Sequence, residues 1–510
     1  MEELNEECGI MAVYQMGENH GQVNVTPLVV RGLVDLQNRG QLSAGLTSYN
    51  PSRDRILQTH KALGSVHEVF RVNLSPQRSR QLMEEYSGQA AIGHTRYATS
   101  GASDSELAQP FERVHGRKWK WFAISFNGNL ANYQALKDEL ETTGYHITYH
   151  SDTEVMMHYI NRELQGDTAP DFHKVFGNLT KIFDGAFNIA FLNGAGDMVV
   201  VRDPLGIKPL CYGVKDQLLV AASESNVLLH LGIEPLPLGP GEMIVANRDG
   251  YRVERYHPAP RKAYCFFEWI YFANLASSME GRSVYNVRYR LGAELAAQEP
   301  LKEYSQFRVI PVPETSLTAA HAFGFHLNLP VMSGLVRNRY VGRTFIEGAS
   351  RADTVRMKFT PLREVLEDHD IFLLDDSLVR ATTLKTVIEG LRQRGKARQI
   401  HVRIACPPIM GPCFYGIDMP TVKELFAPHH LQGKPLNELP PAVLAAMARE
   451  LGADSLVFLS MEGLTRALGL PKEDMCMACV NLQYPTEMGR RRHLQAQAQA
   501  GLGELPLAGS

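Results

Sequence analysis

Hydrophobic residues recur along this chain with two different rhythms, and the change between them divides it. In the first half, short apolar or alternating segments dominate. Ala90-Ala91-Ile92-Gly93, Trp121-Phe122-Ala123-Ile124 and Met198-Val199-Val200-Val201 read as strands. Asn127-Gly128 and Asp203-Pro204 read as turns between strands. Leu130 to Leu140 and Thr153 to Leu164 read as helices. Strands and helices in blocks predict an α+β sandwich over residues 8–255. Pro240-Gly241 and Pro258-Ala259-Pro260 punctuate its end.

From residue 262 to about 470 the pattern becomes β-α-β. Val309-Ile310-Pro311-Val312 and Ile371-Phe372-Leu373-Leu374 read as buried strands. Leu384, Val387, Ile388 and Leu391 then fall at i, i+3, i+4 and i+7, which predicts a helix closed by Gly395. Ile400 to Ala405 is the next strand. This alternation predicts a parallel sheet covered by helices, an α/β domain. Residues 471–510 form a C-terminal segment whose last part, from about 488, begins Arg490-Arg491-Arg492, continues in Gln-Ala repeats and reads as a helical or frayed tail.

Composition adds bounds. The 510 residues exceed one typical core, in keeping with two domains. The net charge of −3 gives no electrostatic reason to expect nucleic acid, and no apolar run reaches membrane-spanning length. The leader, residues 1–7, is acidic and too short for a signal peptide, so a cytoplasmic enzyme is the expectation. Seven cysteines, an odd number, disfavour a disulfide framework and favour catalytic or metal roles.

Two motifs carry chemistry. If residues 1–7 are a propeptide, Cys8 becomes an N-terminal residue whose α-amine can act as base to its own thiol. Asp375-Asp376-Ser377-Leu378-Val379-Arg380-Ala381-Thr382-Thr383 lies at the carboxyl end of a buried strand and opens into a helix, the place where ligands bind in open α/β sheets. Paired carboxylates there suit ribose hydroxyls or a divalent ion, and the turn suits a phosphate. Cys476-Met477-Ala478-Cys479 is compatible with zinc, redox chemistry or neither, and two thiolates cannot complete a metal site alone.

The acidic motif resembles the phosphoribosyl pyrophosphate (PRPP) loop of type I phosphoribosyltransferases. The chain as a whole, from Cys8 to about Pro485, resembles the glutamine PRPP amidotransferase (amidophosphoribosyltransferase) family. The matching segments include Gln37-Asn38-Arg39-Gly40-Gln41, Gly93-His94-Thr95-Arg96-Tyr97-Ala98-Thr99, Asn127-Gly128-Asn129-Leu130, Ser151-Asp152-Thr153-Glu154, Pro313-Glu314-Thr315-Ser316 and Asn338-Arg339-Tyr340-Val341-Gly342-Arg343. The resemblance implies an N-terminal-nucleophile (Ntn) hydrolase sandwich followed by a type I phosphoribosyltransferase domain. It implies that Cys8 attacks glutamine, that Asn127 and Gly128 hold the oxyanion, and that Arg96, Arg39 and Asp152 bind the amino acid.

In the second half the resemblance assigns Asp375, Asp376 and Thr315 to a magnesium ion and the ribose, and Ser377, Thr382 and Thr383 to the 5′-phosphate. It assigns Lys358 to the pyrophosphate, and Arg337, Arg339 and Arg343 to a loop that folds over PRPP. It also implies a [4Fe–4S] cluster on Cys265, Cys413, Cys476 and Cys479, with zinc as the rival, and leaves Cys211 and Cys406 as core residues. The expected activity is the first step of purine synthesis, making 5-phosphoribosylamine, glutamate and pyrophosphate. The expected assembly is a homodimer or homotetramer inhibited by purine nucleotides, with no nucleic-acid or membrane partner.

This sequence departs from the family pattern at several places. Phe126 stands where the family has His, Asn38 likewise, and Leu42 where an acidic residue is frequent. Ala381 replaces a Gly, a strain if that site needs positive φ. Ala273-Asn274-Leu275-Ala276-Ser277 lacks an Arg and an Asp. The alternatives are a sugar-phosphate aminating enzyme with the same first half, which the PRPP-like loop opposes, and a degenerate paralogue that keeps glutaminase activity or a nucleotide-binding scaffold role.

Overall fold

The computed structural model describes residues 6–17, 23–73, 75–98, 105–259, 261–338, 356–419, 421–435 and 438–501. Two antiparallel sheets build the first half. The seven-stranded sheet runs in the order Leu236–Pro237, Cys211–Lys215, Leu218–Ala222, Glu6–Gln15, Ala90–Ala98, Ser43–Tyr49, Leu57–Leu63. The six-stranded sheet runs Gly250–Arg255, Glu242–Asn247, Met198–Arg202, Gly185–Asn193, Phe122–Leu130, Phe111–Arg113.

Side-chain alternation explains the layering. Along Glu6–Gln15, Ile10, Ala12 and Tyr14 join Ile92, Ala123, Ala190 and Val200 in a core between the sheets. Met11 and Val13 point the other way, onto Val29, Val30 and Leu33 of the helix Thr26–Asp35. On the far side of the second sheet, Ile124, Phe126, Ile189 and Phe191 pack on Val155, Tyr159 and Phe176 from the helices Asp152–Glu163 and Phe172–Leu179. The result is a four-layered αββα sandwich, the α+β sandwich of the pattern with the layering that the family resemblance implies.

The second half contains a four-stranded parallel sheet in the order Arg308–Pro311, Asp370–Asp375, Gln399–Ile404, Ser455–Phe458. Its strands are nearly continuous runs of buried residues, as covering on both faces requires. The helix Ala381–Gln393 buries Leu384, Val387, Ile388 and Leu391. Among the described residues no helix is long and apolar enough to cross a membrane.

One expectation is corrected. Asn127-Gly128 is not a turn but lies inside the strand Phe122–Leu130, paired with Asn188 and Phe187. Gly395 closes the helix as expected, its N–H donating to the Gly390 carbonyl (3.1 Å), and the left-handed residue that follows is Lys396 (φ 59°). Of the two readings of the C-terminal tail, helical or frayed, the structure gives the helix, Glu487–Ala500, and packs it. It starts at an N-cap, Thr486, and its Gly489 lies so close to Tyr415 that a Cβ would stand 2.0 Å from the phenol oxygen. Arg492 covers the Phe414 ring, His493 stacks on Tyr484, and Met488 N–H donates to Asp184 of the first half. Residues 502–510 and the first part of the proposed propeptide lie outside the described residues.

Candidate active sites

Cys8 is the third residue of the strand Glu6–Gln15 and is 2% exposed. Its register partner on the neighbouring strand is Arg96, which is completely buried. Across the sandwich, Asn127 donates through Nδ2 to the Ser223 hydroxyl (3.3 Å), and the same hydroxyl accepts from the Ile10 backbone N–H (3.0 Å). Ser223 thus ties the Asn127 side chain to the strand that carries Cys8. Gly128 has φ +151°, and a Cβ there would lie 2.0 Å from the Ala186 carbonyl oxygen. Only glycine fits this crossing.

The Phe126 peptide just before these two residues is clamped from both sides. Its N–H donates to Gln109 Oε1 (2.7 Å), and its carbonyl accepts from His94 Nε2 (3.0 Å). Since a carbonyl can only accept, His94 carries its proton on Nε2. Burial pushes the His94 imidazolium down to a pKa of about 3, so the ring is neutral at working pH. Gln109 also donates to the Thr153 hydroxyl (3.0 Å), which connects the oxyanion strand to the helix that begins at Asp152. His94, Gln109 and Ser223 were not among the sequence-derived site residues. His94 lay within a recognised segment, whereas Gln109 and Ser223 carry no local signal.

Arg39, expected in a supporting place at the glutamine carboxylate, is held by two carboxylates of the protein itself. It is 3% exposed, and its Nε donates to Glu224 (2.6 Å) while Nη2 donates to Glu268 (2.8 Å). Glu268 also receives Lys208 Nζ (3.1 Å). The sequence placed Arg39 at the glutamine carboxylate; the structure commits these donors to an ion-pair cluster between the two halves. The altered Ala273–Ser277 segment belongs to the same cluster. The Asn274 N–H (2.7 Å) and the Ser277 hydroxyl (2.8 Å) both donate to Glu224 Oε2.

In the second half, Asp375 ends its strand and Asp376 follows, both at the carboxyl edge of the parallel sheet. The Ser377 hydroxyl donates to Asp376 Oδ1 (2.7 Å), and the Asp376 N–H donates to Asp375 Oδ1 (2.9 Å). Burial pushes Asp376 up to about 6, against the pull of Ser377, Arg288, Thr315 and Lys358. Asp375 is raised well above the carboxylate range by burial and by Asp376. Two adjacent carboxyls held this way, with the Thr315 hydroxyl on one of them, are a donor set suited to a hard divalent cation. Thr382 and Thr383 are exposed in the first turn of the helix Ala381–Gln393, where backbone N–H groups are unspent. Ala381 is its first residue and is not among the positive-φ positions, so the expected strain is absent. Lys358 feels both carboxylates. Arg337 pairs with Glu314 at 3.5 Å, while Arg339 and Arg343 lie outside the described residues.

The four cysteines converge from three segments. The two-residue strands Tyr264–Cys265 and Met475–Cys476 pair in parallel with Cys265 opposite Cys476. The Cys479 carbonyl accepts from the N–H groups of Met410 (2.7 Å) and Gly411 (3.1 Å), beside Cys413. Burial above all pushes Cys265 and Cys479 well up and Cys476 to about 12, with smaller contributions from the neighbouring thiols and, for Cys265, from Glu268 against Lys208. None of the seven cysteines forms a disulfide. Among the described residues no group of three or more His, Cys, Asp or Glu side chains is spaced to hold a metal ion. Cys211 and Cys406 are buried core residues, as expected.

Residues 94–230 match the family model described as a glutamine amidotransferase domain. The amidophosphoribosyltransferase of Methanothermobacter thermautotrophicus is 36% identical over 490 residues, covering 95% of this chain and 96% of the relative. That of Bacillus subtilis is 35% identical over 492 residues, covering 95% of each. Among solved structures, the glutamine PRPP amidotransferase from Bacillus subtilis complexed with ADP and GMP aligns with a TM-score of 0.80 at 33% identity. It covers 94% of this chain and 98% of that one. A second structure, described as the allosteric regulatory enzyme of purine biosynthesis, aligns at 0.81 with 34% identity, covering 94% and 97%.

Proposed function

This chain belongs to the amidophosphoribosyltransferase family, and we propose that it performs the family's reaction with the residues described above. It is a glutamine-dependent transferase of the first step of purine synthesis, in which PRPP, glutamine and water give 5-phosphoribosylamine, glutamate and pyrophosphate. The observation that carries the residue assignment is the arrangement around Cys8, with Arg96 opposite it in the sheet and Asn127 linked to its strand through Ser223.

In the proposed mechanism the Cys8 thiolate adds to the side-chain amide carbon of glutamine. The Asn127 amide and the Gly128 N–H stabilise the oxyanion, ammonia leaves, and water releases glutamate from the thioester. Arg96 takes the α-carboxylate and Asp152 the α-ammonium. In the transferase half, Ser377, Thr382 and Thr383 take the 5′-phosphate, while Asp375 and Asp376 hold the ribose hydroxyls. Ammonia then adds at C1 of the ribose as pyrophosphate departs, with Lys358 and Arg343 on the pyrophosphate. Asp375, Asp376 and Thr315 would hold a magnesium ion, which supplies charge neutralisation for that leaving group.

Cys265, Cys413, Cys476 and Cys479 would hold a [4Fe–4S] cluster. The donor set supports this: three buried thiols and the partly buried Cys413, none in a disulfide, drawn from segments far apart in sequence. Such a group would tie the C-terminal segment (471–510) to the transferase domain (262–470) and lend structural support. The reading extends to a cytoplasmic homo-oligomer, dimer or tetramer, that binds purine nucleotides, as the ADP and GMP complex of the Bacillus subtilis relative suggests. The glutaminase domain is residues 8–255, with 1–7 removed.

Replacing Cys8 with Ser tests the division of labour. Glutamine-dependent pyrophosphate release is expected to vanish while ammonia-dependent release persists. Loss of both activities in a folded variant would contradict it.

A further inference from the structure

The ion-pair cluster between the halves has a specific reach in each direction. Arg39 precedes Gly40, and a Cβ at Gly40 would lie 2.5 Å from the Arg96 carbonyl carbon and 2.7 Å from its nitrogen. The loop therefore rests directly on the Arg96 backbone, and the Leu42 N–H donates to the Arg96 carbonyl (2.9 Å). Glu224 follows Ser223, whose hydroxyl seats the Asn127 side chain. Two first-half members of the cluster, Arg39 and Glu224, are thus each one residue from an element that builds the glutamine site.

On the other side, Glu268 and Phe272 bound a π-helical turn, Glu268–Phe272. Such turns are rare and frequent at functional sites. Asn38 donates through one amide nitrogen to Glu224 (2.8 Å) and to the Phe272 carbonyl (3.0 Å), bridging the halves. The carbonyls of Trp269 and Ala273 accept from Arg288 (2.8 and 2.9 Å), whose charge acts on Asp376 of the PRPP loop. Lys208 completes the cluster by donating to the Gly416 carbonyl (3.1 Å). Burial alone would raise the Glu268 carboxyl, but the Arg39 and Lys208 charges outweigh it and hold it at about 2, so Glu268 is ionised at any working pH.

We infer that Glu268, a residue of the transferase half, is a positioning residue for glutamine hydrolysis in the other half. It fixes Arg39, which fixes the loop under Arg96 and, through Glu224, the hydroxyl under Asn127. Asn38, which stands where the family has His, is the second strut of the same bridge. The cluster makes the geometry of one site depend on contacts supplied by the other half. A buried pair that loses one partner leaves an uncompensated charge, so its effect is transmitted rather than absorbed. The inference rests on the glutaminase reading of Cys8.

The test uses the full chain, wild type, Glu268→Gln and Asn38→Ala, with glutamate release from glutamine and ammonia-dependent pyrophosphate release measured separately. For Glu268→Gln, kcat/KM for glutamine is expected to fall at least tenfold, chiefly in kcat, with ammonia-dependent release within twofold of wild type. Asn38→Ala removes two hydrogen bonds without stranding a charge and carries the test if Glu268→Gln does not fold. Its expected loss is threefold or more in the same parameter. Glutamine kinetics within twofold of wild type in either folded variant, or equal losses with glutamine and ammonia, would overturn the inference. Wild-type protein that releases glutamate but no pyrophosphate would instead refute the transferase reading, and the glutamate comparison would still decide this one.

Discussion

Gly128 shows how much chemistry can rest on a missing methyl group. With φ at +151° and the Ala186 carbonyl against the place of its Cβ, it lets two strands approach as closely as the proposed oxyanion site requires. Gly128→Ala is therefore expected to lower glutamine-dependent turnover by about 100-fold or more, the scale of losing one oxyanion donor, with ammonia-dependent turnover retained. A steady-state comparison of the two nitrogen sources checks it. Ala381 is the opposite case. Its place at the start of a helix, outside the positive-φ positions, removes the reason to fear it. Ala381→Gly should leave the KM for PRPP within about twofold, since glycine's extra freedom costs only about 0.5–1 kcal/mol even inside a helix. A tenfold gain in affinity would show that the methyl obstructs the phosphate.

At the scale of elements, the strand–turn–helix that carries Asp375 and Asp376 was legible because its signal is local. A buried apolar run, two carboxylates and a 3.6-period helix all lie within one stretch. Asn127-Gly128 misled for a related reason. The pair is a strong turn signal locally, but its glycine answers a backbone from a different strand, which no local pattern reports. The clamp on Phe126 is equally non-local, since His94 and Gln109 reach it from two other segments.

That clamp has a measurable consequence. His94 is depressed to about 3 when folded, so its contribution is complete above the unfolded value near 6.5 and declines as the pH falls through that window. Between pH 6.5 and 5 one such group costs about 2 kcal/mol. Urea unfolding of the glutaminase half at pH 7 and pH 5 should show His94→Gln losing less stability than wild type by about that amount. Equal losses would mean that the imidazole is not buried as a neutral ring.

The whole molecule is held together by contacts that join residues hundreds of positions apart. Asn129 donates to the Phe414 carbonyl (3.1 Å), Met488 to Asp184, and Arg39 to Glu268. The C-terminal helix read as a tail because its Gln-Ala repeats lack an apolar stripe. Its packing uses Gly489, His493 and Gln497 instead, all buried. Arg39 read as a ligand for glutamine because its neighbours in sequence suit that role, and only the assembled interface reveals Glu224 and Glu268 around it.

The proposed cluster works at this scale too. Cys479→Ala should abolish iron incorporation, read as the loss of visible absorbance in anaerobically purified protein, and lower the thermal midpoint. Retained iron would refute the ligand assignment.

The central claim is that one chain hydrolyses glutamine and passes the nitrogen to PRPP. Its most direct test is simultaneous measurement of glutamate and pyrophosphate from anaerobically purified protein given glutamine, PRPP and magnesium. The account predicts release of the two products in equal amounts, each dependent on both substrates. Glutamate without pyrophosphate would contradict it and leave a glutaminase or nucleotide-binding scaffold in place of the transferase.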